Sequence, residues 1–134
     1  MNALAAIEFA NSAFYDAFSS ANYDQMSAVW AEDEAVFCCH PGWQPLHGRD
    51  AVLRSWAEIF TNSGPMAVTH SILVQDTIAE MGVVCCLESV GGYGFVATNL
   101  FVRAGKLWRM VHHHSGPFAG RMPVVASTPD RTRN

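Results

Sequence analysis

His112 and His114 stand two apart in Leu107-Trp-Arg-Met-Val-His-His-His-Ser-Gly-Pro117, where strict alternation sends Trp108, Met110, His112 and His114 to one face and Arg109 and His113 to the other. An apolar strand face that turns imidazole-rich at one end reads as the wall of a pocket. The two histidines lie about 6.5–7 Å apart along the strand. Imidazole titrates near neutral pH and serves as acid or base with little perturbation, so the pair suits proton transfer on a bound enol, hydroxyl or epoxide. With His40, Cys38 or Glu88 as a third ligand, the pair also has the donor types of a metal site. Local spacing defines no ligand set, however, and no metal is expected. The competing reading is a pair of buried, hydrogen-bonded histidines with no turnover. The triple-histidine run continues a strand pattern and is followed by ordinary sequence, so it reads as native chain and not as a tag.

Upstream, the periodicity of the chain changes from helical to extended. Residues 3–20 repeat apolar side chains at spacings of three and four, with Ala10, Phe14, Ala17, Phe18 and Ala21 on one stripe. Asn22 with Gln25 has the form of a capping box that opens a short helix through Met26, Val29 and Trp30. Residues 35–39 form a strand ended by Pro41-Gly42. A third helix starts near Gly48, with Asp50 in its first turn and Val52, Leu53, Trp56, Ile59 and Phe60 on one face; Arg49 and Asp50 serve that helix start. From there the pattern is β, over about 67–79, 82–90, 93–103 and 106–115, with tight turns between. Three helices followed by an antiparallel meander make an α+β layer.

The later strands are apolar on both faces, as in Val83, Cys85 and Leu87 against Val84 and Cys86. Three helices cover only one face, so the other calls for a partner, most simply a second copy about a two-fold axis. Eight basic and twelve acidic residues give a net charge of −4 with no basic block, which argues against nucleic acid and against an anionic membrane surface. The N-terminus has no basic leader, and no apolar run reaches the roughly 20 residues of a spanning helix, so a cytoplasmic chain is expected. The adjacent pairs Cys38-Cys39 and Cys85-Cys86 point to opposite faces and read as free thiols. Residues 118–134 lose periodicity and read as an extended tail behind a single domain over 1–117.

The order of elements, the His40-Pro-Gly-Trp43 segment and the Trp108-x-x-x-His112-x-His114 ending together resemble SnoaL-like domains of the nuclear transport factor 2-like (NTF2-like) superfamily, over roughly residues 3–117. The resemblance implies a cone-shaped, cystatin-like roll: three helices packed on a strongly curved, mainly antiparallel sheet, a cavity open at one end, no cofactor, and a homodimer through the outer sheet face. The superfamily includes ketosteroid isomerases, polyketide cyclases, scytalone dehydratase, limonene epoxide hydrolase and the non-enzymatic association domain of calcium/calmodulin-dependent kinases, so the fold alone settles no activity. Against the isomerases, His40 takes the position of the carboxylate base. Their oxyanion-stabilising tyrosine falls on Phe14, with Tyr15 one residue off that face.

The cone so implied gathers His40, His70, His112 and His114, lined further by Phe14, Trp30, Trp43, Asn99 and Met110, around a small apolar or aromatic ligand. Asn99 shares a face with Phe95 and Ala97, which places it inside and Thr98 outside. Two readings stay open. One is a cofactor-independent isomerase, cyclase or hydrolase, with His40 or His112 as general base and His114 or Asn99 polarising the substrate. The other is a ligand-binding or assembly module without turnover, like the kinase association domain, whose similar Arg-x-Gly-Lys-x-Trp and His-x-His ending it shares.

Overall fold

The computed structural model describes residues 2–32 and 35–117. The expected C-terminal tail lies outside them. Helix α1 spans Ala3–Ser20; the Asn2 side chain caps it by accepting from the Ala5 N–H at 2.8 Å, and Ala21 closes it in the left-handed region. Asn22 caps α2, Tyr23–Val29, by accepting from the Gln25 N–H at 2.9 Å. Helix α3, Arg49–Ser63, follows Gly48, whose φ of 97° favours glycine. The Arg49 guanidinium reaches back to the carbonyls of Ser27, Trp30 and Ala31 and so satisfies the open C-terminal end of α2.

Six strands form one mixed sheet in the order β2-β1-β6-β5-β4-β3. They are β1 Phe37–Cys39, β2 Leu46–His47, β3 Val68–Ile78, β4 Met81–Val90, β5 Tyr93–Ala104 and β6 Leu107–Pro117. Strand β1 runs parallel to β6, and the other pairings are antiparallel. The two-residue β2 lies in a segment read from sequence as loop. The sheet wraps α1, so a wide arc of that helix is buried: Ile7, Ala10, Asn11, Phe14, Tyr15 and Ala17. Gly82 lets α1 come this close, since a Cβ there would sit 2.7 Å from Ile7 Cδ1. No described helix is long and apolar enough to cross a membrane.

One irregularity decides what enters the cone. Leu100 pairs with His112 while Phe101 pairs with Met110, so Val111 is an extra residue on β6, a β-bulge. The alternation resets there. Trp108 and Met110 point inward before it, and His113 and Ser115 point inward after it. The expectation that His112 and His114 line the cavity and His113 faces out is therefore reversed: His113 is 1% exposed, whereas His112 is half-buried and His114 exposed on the outer face. A single inserted residue inverts every side chain beyond it.

Candidate active site

The interior cavity has a volume of about 160 Å³. Phe18 of α1 and Trp56 and Ile59 of α3 form one side, and Glu88, Val90, Phe95, His113 and Ser115 of the sheet form the other. His40, Pro41 and Trp43, from the end of β1 and the loop after it, complete the lining. A larger groove of about 490 Å³ lies between α1, α2 and the start of β6. It is lined mainly by alanines, Phe9, Leu107 and Trp108 and contains none of the buried polar residues, so the chemistry points to the smaller cavity.

Glu88 is the centre of the polar wall. It is 1% exposed, and its carboxylate accepts from the Tyr15 hydroxyl at 2.5 Å and from the Ser115 hydroxyl at 2.6 Å. Asn99 holds the rest of the network. Its amide N–H₂ donates to Asn11 Oδ1 at 2.9 Å and to the Tyr15 oxygen at 3.2 Å, and its Oδ1 lies 2.6 Å from His113 Nδ1. The Asn99 oxygen only accepts, so His113 carries its proton on Nδ1, and Nε2 keeps a free lone pair 3.9 Å from Glu88 Oε2.

The opposite wall is built by the same logic. Ser55 donates to the Val52 carbonyl at 2.6 Å, so its oxygen accepts from His40 Nε2–H at 2.9 Å. The Nδ1 atom of His40 is left as an acceptor, with the Cys38 thiol 3.9 Å away. The His40 and His113 rings are 6.4 Å apart, and Trp56 stands edge-on to His40 at 4.7 Å. His113 and His40 thus line one cavity from two sides.

Burial sets the charge states. It drives His40 and His113 down to about 3, in each case with help from a neighbouring imidazole, so both are neutral at physiological pH. The 3.9 Å approach of His113 to Glu88 is accordingly not an ion pair. Burial pushes Glu88 above the usual carboxylate range, against the pull of the Ser115 and Tyr15 hydroxyls and of His70. A carboxyl group raised in this way takes up a proton more readily than an exposed one, which suits it to proton transfer.

The other residues expected in the pocket divide. Phe14 is buried beneath it, with its ring 4.8 Å from His113, and Asn99 is fully buried and positions His113. Trp43, half-exposed, packs edge-on to His40 at 4.9 Å at the cavity's edge. His70 does not line the cavity; it stacks on the far side of Tyr15 at 4.4 Å. Trp30 and Met110 are buried core residues whose backbones form a bridge. His112 Nδ1–H donates to the Phe37 carbonyl at 3.2 Å on the outer face, and His114 stands beside it. The His112–His114 metal set with His40, Cys38 or Glu88 does not assemble, and among the described residues no group of three such ligands is arranged to hold a metal ion.

Sequence reading missed Tyr15, Ser55, His113 and Ser115 as site residues and considered Glu88 only as a metal ligand. Tyr15, read as off the inner face, is 2% exposed, because the curved sheet encloses α1 on more than one side. A signal for Glu88 was present: it shares the parity of Val84 and Cys86, so a lone carboxylate was due to enter an apolar interior.

Residues 7–119 match the family model of the SnoaL-like domain. Among solved structures, a putative calcium/calmodulin-dependent protein kinase type II association domain from Thiobacillus denitrificans is 34% identical, with a TM-score of 0.78 over 83% of this chain and 94% of that one. A putative dehydratase of the NTF2-like family from Streptomyces avermitilis is 28% identical, with a TM-score of 0.79 over 87% of this chain and 96% of that one. The F-box protein SKIP8 of Arabidopsis thaliana is 27% identical over 113 residues, 82% of this chain. The match spans about half, 48%, of that protein's length.

Proposed function

The chain belongs to the family of SnoaL-like domains, and on that premise we propose that it binds a ring-sized small molecule in the cone and transfers protons on it without a cofactor, as an isomerase or dehydratase does. The observation that carries this reading is Glu88: a buried carboxyl group, held by two hydroxyls, on the wall of a cavity that His113 and His40 face from two sides. Glu88 with His113 exchanges a proton on one side of the ligand and His40 on the other, the arrangement that a 1,3-proton shift or loss of water requires. Asn99 fixes the His113 tautomer and Ser55 that of His40. A volume of about 160 Å³ suits one ring, since a cavity of about 150 Å³ accommodates benzene. The similarity to a putative NTF2-like dehydratase supports the reaction type.

The test is deuterium incorporation from D₂O, followed by proton NMR, into a panel of single-ring ketones bearing hydroxyl or amino substituents. At least one should exchange about 10²-fold or more faster with the wild-type protein than with Glu88→Gln. No acceleration across the panel, or equal acceleration by the variant, would sink the reading.

The second reading is an assembly module, favoured by the 34% identity to a kinase association domain. Its surface would be the outer sheet face, where Val83, Leu100 and Val102 line a shallow apolar cleft and Val74 and Ile78 are exposed. We propose that this face pairs two copies of the chain. Sedimentation equilibrium should give twice the chain mass; a larger species would favour assembly, and a monomer at high micromolar concentration would exclude both.

A further inference from the structure

With Glu88 ionised, the wall formed by Glu88 and His113 offers hydrogen-bond acceptors and no donor. The one proton on His113 goes to Asn99, and the hydroxyl protons of Tyr15 and Ser115 go to Glu88. His113 Nε2 and Glu88 Oε2 are left facing each other 3.9 Å apart, too far to share a proton directly. A donor atom placed roughly 2.8 Å from each sees the two at nearly a right angle. Two hydrogens on one nitrogen meet that requirement, whereas a hydroxyl has only one hydrogen to give.

The rest of the cavity agrees in sign. His40 Nδ1 is a further acceptor, with the Cys38 thiol as a weak donor 3.9 Å away. No lysine or arginine lines the cavity, and burial keeps both imidazoles uncharged, so nothing there balances a carboxylate or phosphate on a ligand. The apolar walls are largely aromatic, from Phe18, Trp43, Trp56 and Phe95, whose electron-rich faces favour a positive group.

We propose that the cone takes a ring-sized molecule with a primary amino or ammonium group, its nitrogen seated between Glu88 Oε2 and His113 Nε2 and its ring among Trp43, Trp56 and Phe95. The inference deepens the ligand-binding reading above and rests on it. The Glu88–His113 wall holds the donor end of the ligand, and His40 faces the rest of the ring.

Three probes of one size separate the two levels: benzylamine, benzyl alcohol and benzoate, each titrated calorimetrically into the wild-type protein at neutral pH. Benzylamine should bind about tenfold tighter than benzyl alcohol, with benzoate weakest. Glu88→Gln, which keeps the shape and removes the charge, should bring benzylamine and benzyl alcohol to within about twofold of each other. His114→Ala, which changes a side chain exposed on the outer face, should keep the preference for benzylamine. If the alcohol or benzoate binds as tightly as the amine, or if Glu88→Gln leaves the preference intact, the amine proposal fails and the ring site stands. If none of the three binds, both fail.

Discussion

Trp56→Ala should cost the fold about 3–5 kcal/mol, read as a lower urea midpoint at an unchanged denaturant slope. Trp56 is fully buried and joins the helical core to the cavity: its ring is edge-on to Phe14 at 5.5 Å, Phe18 at 4.9 Å and His40 at 4.7 Å, and tilted against Phe60 at 5.7 Å. Truncation removes an α3 side chain on which α1 and the segment after β1 both pack, and these separate elements cannot collapse into the gap together. Trp56→Phe is the informative control. The indole N–H is buried with no partner among the described residues, so phenylalanine loses volume but also removes an unsatisfied donor. We expect it to cost less than about 1.5 kcal/mol. An alanine variant as stable as wild type would mean that α3 is held by something other than this side chain.

The long helices and strands were legible because a hydrophobic period and the turn residues at each end bound them, even where a bulge interrupts the period as in β6. Helix α1 was read at 3–20 and observed at Ala3–Ser20, and the four long strands differ from their expected limits by a residue or two. Strand β2 was not legible, since two residues between Pro45 and Gly48 carry no period at all. The site was harder for a related reason. Which face a strand residue takes depends on counting from a known neighbour, and the bulge at Val111 adds one to the count. Nothing in the type of Val111 marks it as the extra residue; the bulge exists only in relation to β5, where Leu100 and Phe101 skip it. Asn99 escaped the error because the count from Phe95 and Ala97 along β5 runs without interruption. Helix α1 posed the opposite problem. Phe14 and Tyr15 differ by about 100° around the helix, and only a sheet curved around it can bury both. Curvature is set by the whole sheet and by close approaches such as Gly82 against Ile7, and no local window of sequence records it.

That reversal makes the three histidines separable by experiment. In the exchange assay, His113→Phe should lower the accelerated rate by about 10²-fold or more, while His112→Ala and His114→Ala should stay within about twofold of wild type. His113 puts Nε2 in the cavity beside Glu88; His112 meets the Phe37 carbonyl outside, and His114 is exposed. Stability distinguishes a lost catalytic group from a damaged fold. At pH 7 the phenylalanine leaves Asn99 Oδ1 without its donor, which should cost about 1–3 kcal/mol. Acid then acts in the other direction. Folding holds His113 at about 3, below its value in the unfolded chain, so the unfolded chain binds the extra proton and wild-type stability falls as pH drops through the unfolded value near 6.5. His113's share is about 0.7 kcal/mol between pH 7 and pH 6, and the gap between variant and wild type should narrow by that amount. His112→Ala and His114→Ala keep His113 and so should keep its share of the pH dependence. If His112→Ala or His114→Ala abolished exchange while His113→Phe left it intact, unbroken alternation would be right, and the bulge would not set the face.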